Sequence, residues 1–235
     1  MFIFSCILIV FVFGATYYVS RFTKIKKLND FLKQLIFGVL FSLLLLYSIT
    51  YGTFEYGANS FNVSDSIILA SGVIFGPITG LICGIFGILS RYVLHIINNT
   101  DVYLRFSSIS VHIAAIILVF FYHLCLKKND KPNTVISLVF CIFIEILHVL
   151  VVPLFSKYDI EFTLLLMTKL FLPAAISNFI ITCSILFLAV LFYYKSLSIA
   201  LRVFLPDMWL LLLPDVVCHS SCLLFFCVIC GVSAS

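Results

Sequence analysis

Charge is what this sequence has least of. Only 10% of its 235 residues are Asp, Glu, Lys or Arg, where a soluble domain carries about 25%. The shortage is concentrated: residues 2–20 and 66–90 hold no charged side chain at all. With 63% of residues hydrophobic, an ordinary soluble globule is excluded. Several runs reach the roughly 20 apolar residues that crossing a bilayer requires. The chain reads as a polytopic integral membrane protein.

Other absences narrow the reading further. The N-terminus lacks a basic n-region, and its apolar run Phe2–Tyr18 exceeds a signal-peptide core, so it is a retained span. Nine cysteines are present, but Cys6, Cys83, Cys125, Cys141 and Cys183 fall one to a hydrophobic segment. That scatter makes no disulfide framework and suits small buried hydrophobes. Cys218, Cys222, Cys227, Cys230 and His219 crowd the tail, yet their spacing fits no standard zinc pattern and no acid stands behind them. No metal and no cofactor are expected. No lysine follows Gly80, Gly84 and Gly87, so these form a close-packing face rather than a phosphate loop. The last forty or so residues hold no phosphoacceptor or nucleotide-binding motif. No catalytic residue is assigned, and any enzymatic activity of the chain stays open.

What is present is a series of spans organised around GVIFGPITGLICGIFGILSRY, Gly72–Tyr92. Pro77 has no N–H to donate and clashes with the preceding turn, so Gly76–Pro77 breaks the segment. Freed backbone groups in a bilayer must find partners inside protein or in a watery cavity, and such breaks often mark binding sites. Full spans are read at about Phe2–Ser20, Gln34–Gly52, Phe106–Leu126, Thr134–Phe155 and within Thr163–Tyr194, the last interrupted by Lys169 and Pro173.

The basic residues cluster at span ends, which sets orientation rather than a nucleic-acid surface. If Ile67–Ser90 dips in and returns, Arg21, Lys24, Lys26, Lys27, Lys33, Lys127, Lys128, Lys131, Lys195 and Arg202 lie on one side. Arg91, Arg105 and Lys157 lie on the other, a split of ten to three; a full crossing would make it eight to five. The first split obeys the positive-inside rule better. The fold expected is therefore an all-α membrane protein with five transmembrane helices and a Gly-Pro-broken re-entrant segment. Its N-terminus lies outside and the residues after 194 begin in the cytoplasm. Residues 195–235 are read as a separate hydrophobic tail, either a sixth hydrophobic segment or a truncated or frame-shifted linker.

Three pieces then resemble a known family. FNVSDSIILASGVIFGPITGLICGIFGILSRY (residues 61–92) is similar to the core of the five-transmembrane receptor domain of the LytS/YhcK type, with its polar entry, Gly-Pro break, spaced glycines and Arg-Tyr pair. EILHVLVV (Glu145–Val152) is similar to its Glu-x-x-His span and LPAAISNFI (Leu172–Ile180) to its Pro-x-x-x-x-Asn span. The entry reads Asn62-Val63-Ser64-Asp65, with Ser64 where the family tends to have arginine. The resemblance implies a sensory input domain over residues 1–194 in a bacterial plasma membrane. Such domains precede a histidine kinase or a diguanylate cyclase in phosphorelay or cyclic-di-GMP systems, including those of cell-wall organisation, and some kinase members respond to small carboxylates. Its partners would be the bilayer, a small-molecule ligand, a cytoplasmic output domain or partner protein and, left open, a second copy in a homodimer.

The candidate ligand-binding residues are Arg91, Asn62, Asp65, Glu145, His148 and Asn178. Arg91 closes the broken segment; a guanidinium there can grip a carboxylate in a two-pronged pair, or else snorkel to the interface. Glu145 and His148 are three apart, on one helical face inside a span, where ionisable groups are costly and point to function or to mutual pairing. Glu145 paired to Lys169 is a further alternative. A single Glu-x-x-His lacks the second copy that a di-iron site needs. Asn62 and Asp65 stand at the outer mouth; Asn178 either caps backbone exposed after Pro173 or lines the cavity. His95, His112 and His123 show no partner in the sequence and read as packing or interfacial residues. The alternative function is a substrate-binding subunit of an energy-coupling-factor vitamin transporter, though the first span has only Ala15 where those subunits carry a small-residue docking face.

Overall fold

The computed structural model describes residues 2–22, 24–52, 54–56, 59–61, 63–98, 102–126, 133–155, 172–195, 200–201 and 205. Seven long helices account for most of them: α1 Phe2–Phe22, α2 Asp30–Tyr51, α3 Ser64–Phe75, α4 Pro77–Ile97, α5 Val102–Phe121, α6 Thr134–Phe155 and α7 Leu172–Tyr194. A 3-10 turn, Lys24–Lys27, links α1 to α2, and a π turn, Tyr122–Leu126, ends α5. Between α2 and α3 the chain makes a small antiparallel hairpin, β1 Phe54–Tyr56 and β2 Asn59–Phe61, with Glu55 opposite Ser60. The hairpin is the one departure from an all-helical chain among the described residues.

Residue pairings fix the direction of each helix. Ser5 of α1 lies beside Tyr47 and Tyr51 at the far end of α2, and the Phe13 and Phe41 rings stack at 4.3 Å, so α1 and α2 are antiparallel. Gly38 meets Ile82, and Gly87 meets Leu45, so α2 and α4 run parallel. On α5, Val119, Ile116 and His112 meet Gly80, Gly84 and Gly87 in turn, so α4 and α5 are antiparallel. Leu188 and Phe192 of α7 pack on Gly14 and Tyr18 of α1, making α7 parallel to α1. One end of the bundle thus gathers Arg21, Lys33 and Lys195; Arg21 stacks over the Tyr17 and Tyr193 rings and Lys195 over Phe22.

The broken segment is a tight hairpin. Gly76 adopts φ 122° and ψ 164°, a conformation that L side chains avoid, and Pro77 opens α4 at its first position, where no N–H is needed. The two arms fold back so closely that a Cβ on Gly80 would lie 2.9 Å from the Gly72 Cα. At the turn, Ile78 N donates to Gln34 Oε1 at 3.0 Å, and Thr79 Oγ1 donates to the Gln34 carbonyl at 3.0 Å. His123 Nε2 donates to the Gly72 carbonyl at 2.7 Å. Neighbouring helices therefore satisfy the backbone that Pro77 frees, as a bilayer demands.

The two arms differ in length. The 12 residues of α3 rise about 18 Å, too short to cross the hydrocarbon core. The 21 residues of α4 rise about 31 Å, which is enough. The segment is longer than the stretch 67–90 read from hydropathy, because Ser64–Ser66 and Arg91–Ile97 are helical too. Pro173 lies in the first turn of α7 rather than interrupting a span, the position where proline is tolerated. Lys169 and nearly all of the tail after residue 195 lie outside the described residues.

The core sits where α1, α2 and α3 meet. Phe75 packs on the rings of Phe37 and Phe41, both at 5.0 Å, and on Phe13 at 6.3 Å. All ten residues from Ser64 to Val73 are buried. A helix enclosed on every side belongs to the protein interior, and α3 is that helix.

Candidate functional site

Enclosing α3 forces its polar first turn, Ser64-Asp65-Ser66, into the bundle, where each group must find a partner. Arg91, near the end of α4, supplies one: its Nη2 donates to Ser64 Oγ at 3.3 Å. On α5, His112 is 1% exposed and its Nδ1 stands 3.6 Å from Asp65 Oδ1. Gly87 makes room for this ring, since a Cβ there would approach His112 Cδ2 to 2.6 Å. From α7, Asn178 accepts a hydrogen bond from Ser66 Oγ at its side-chain Oδ1, 2.6 Å away, and its own carbonyl lies 3.1 Å from the same hydroxyl. Three helices, α4, α5 and α7, thus converge on the start of α3.

The cluster lies below the end of the bundle. α4 continues six residues past Arg91, about 9 Å, and Asn178 is a similar distance into α7. Asp65 is 8% exposed, and it lies close enough to Arg91 for the two charges to interact. Even so, Arg91 Nε and Asp65 Oδ1 are both buried without a hydrogen-bond partner among the described residues. A guanidinium and a carboxylate held this way, beside a hydroxyl and an imidazole, are suited to binding a small polar group. Among the described residues no group of three or more metal-ligating side chains exists.

The sequence-derived candidates fare differently. Arg91, Asp65 and Asn178 are brought together around α3. Asp65 lies inside the helix rather than in a loop at the mouth. Asn62 lies outside the described residues. The backbone of Glu145 and His148 is in α6, but their side chains are outside the described set, as is that of Pro173. Gly76 makes the turn, and Gly80 and Gly84 receive α3 and α5, with Ile68 and Ile116 against Gly84. Ser64, Ser66 and His112 were not read as site residues. His112 and Ser66 owe their roles to partners on other helices, 47 and 112 positions away for Asp65 and Asn178. His123, also without a visible partner in the sequence, belongs to the turn at the other end of the hairpin.

A family model described as 5TMR of 5TMR-LYT covers residues 16–192. No curated protein and no solved structure matches the chain.

Proposed function

The chain belongs to the 5TMR-LYT family of membrane sensory input domains, and from that membership we propose that it binds a small carboxylate-bearing ligand at Arg91. The observation that carries this reading is Arg91 at the open end of the α3–α4 hairpin: its side chain is partly buried and donates to Ser64, and its Nε is buried without a hydrogen-bond partner among the described residues. A guanidinium out of water binds a carboxylate strongly and with fixed geometry. By the charge split at the span ends, this end of the bundle faces the extracytoplasmic side of a bacterial plasma membrane.

Signal transfer follows from the contacts of α3. A ligand on Arg91 and the first turn of α3 moves Ser66, and the Ser66–Asn178 hydrogen bond passes the shift to α7. α7 runs to the opposite end of the bundle, beside Arg21 and Lys195. There it would act on a cytoplasmic output domain or partner protein of a phosphorelay or cyclic-di-GMP system.

The test uses the full chain in lipid nanodiscs. A panel of small carboxylic acids and amino acids is screened by thermal shift, and binders are titrated. Arg91→Ala is expected to weaken binding by at least tenfold while the protein stays folded. Unchanged affinity would overturn the site.

A further inference from the structure

The charges around the start of α3 say more about its ligand than Arg91 alone does. Among the described residues there, Arg91 contributes one positive charge and Asp65 one negative. The buried atoms without a hydrogen-bond partner mirror this: Arg91 Nε is a spare donor and Asp65 Oδ1 a spare acceptor, with His112 Nε2 beside them. A simple carboxylate on Arg91 would satisfy the donor, leave the acceptor orphaned and bring a second anion beside Asp65. An amine would do the reverse. Away from water either surplus charge is costly.

We propose that the ligand is a zwitterion, a small α-amino acid whose carboxylate pairs with Arg91 and whose ammonium pairs with Asp65. This deepens the receptor reading above and rests on it. Arg91 Nη2 donates to Ser64 Oγ at 3.3 Å, and Asp65 follows Ser64 in the first turn of α3, close enough to Arg91 for the two charges to interact. A small ligand with two opposite charges close together can pair with both. An α-amino acid carries its own two charges on one carbon. His112, 3.6 Å from Asp65, backs the carboxylate, and Ser64 holds the guanidinium in place.

The experiment titrates the full chain in nanodiscs with the twenty α-amino acids, then with the des-amino and decarboxylated analogues of the tightest binder. At least one amino acid is expected to bind, with both truncated analogues at least tenfold weaker. Asp65→Asn keeps the shape and removes the charge. It is expected to weaken the amino acid tenfold or more and to tighten the des-amino acid, so that the preference inverts. Arg91→Gln is expected to invert it towards the decarboxylated amine. A des-amino acid that binds wild type as well as its amino acid overturns the zwitterion and leaves the carboxylate receptor standing. An Asp65→Asn variant that weakens both ligands equally overturns it as well. If no amino acid and no carboxylate binds, both the zwitterion and the receptor site fall.

Discussion

Ser66 Oγ donates to Asn178 Oδ1 across 2.6 Å, joining residues 112 positions apart. It is a buried tie between the enclosed helix α3 and the last helix, α7. Interhelical hydrogen bonds in bilayers contribute about 0.6 kcal/mol on average and about 1.7 at most. Asn178→Leu removes the side-chain acceptor, leaving the backbone carbonyl, and is expected to cost about 0.6–1.7 kcal/mol in reversible unfolding by mixed detergent. Asn178→Asp, which keeps an acceptor oxygen, should cost less through this bond. Equal losses from the two variants would mean that the tie contributes nothing specific.

The close approach of the hairpin arms gives a sharper contrast. At Gly80 the obstacle to a Cβ is the Gly72 backbone, 2.9 Å away; at Gly14 it is the tip of the Leu188 side chain, 3.2 Å away. A side-chain tip can rotate aside and a helix backbone cannot. Gly80→Ala is expected to destabilise by about 1–3 kcal/mol, the usual cost of overpacking, and Gly14→Ala by well under half of that. Thermal unfolding in one detergent ranks the pair.

At the turn, Gln34 accepts the Ile78 N–H that the proline break exposes. Gln34→Leu leaves that donor buried and unmet, at a cost of about 1–3 kcal/mol. Gly76→Ala adds backbone strain at φ 122° and a clash with the Gln34 side chain. Gln34→Ala ends at Cβ and removes the clashing atoms, so in that background the losses from Gln34→Ala and Gly76→Ala should sum to more than the double variant shows.

Gly87 and His112 form a second coupled pair, one turn below Arg91. If Gly87 serves to admit the imidazole, Gly87→Ala destabilises the wild type but costs little in a His112→Ala background. A double-mutant cycle on unfolding free energies measures the difference. Additive losses would place the conflict elsewhere, at Leu45.

Orientation is open to direct labelling. With the native cysteines replaced, Lys27→Cys and Lys195→Cys are expected to react with a membrane-impermeant maleimide only after the cells are opened, and Asn98→Cys in intact cells. An Asn98→Cys protected in intact cells like Lys27→Cys, with Lys195→Cys labelled, would contradict a hairpin that returns to its own side.

The membrane class, the span order and the break at Gly76–Pro77 were legible in the sequence. Each depends on local properties: unbroken apolar length, basic residues at span ends, and a proline without an N–H. The family resemblance rested on short motifs with the same local character. Less legible was the extent of the hairpin, since the polar first turn Ser64-Asp65-Ser66 reads as loop until the surrounding helices bury it.

What the sequence determined by itself, then, was where the chain must be helical and where it must turn back, because the bilayer penalises every unpaired backbone group. Only the tertiary structure decided which polar groups meet. Arg91 faces Ser64 because the hairpin folds its two arms into one register. His112 reaches Asp65 because Gly87 leaves space for its ring. Ser66 finds Asn178 because α7 returns beside α3. Hydropathy carries no record of such pairings, since they depend on helix direction and on the missing side chains of glycines, and these are settled only when the helices pack.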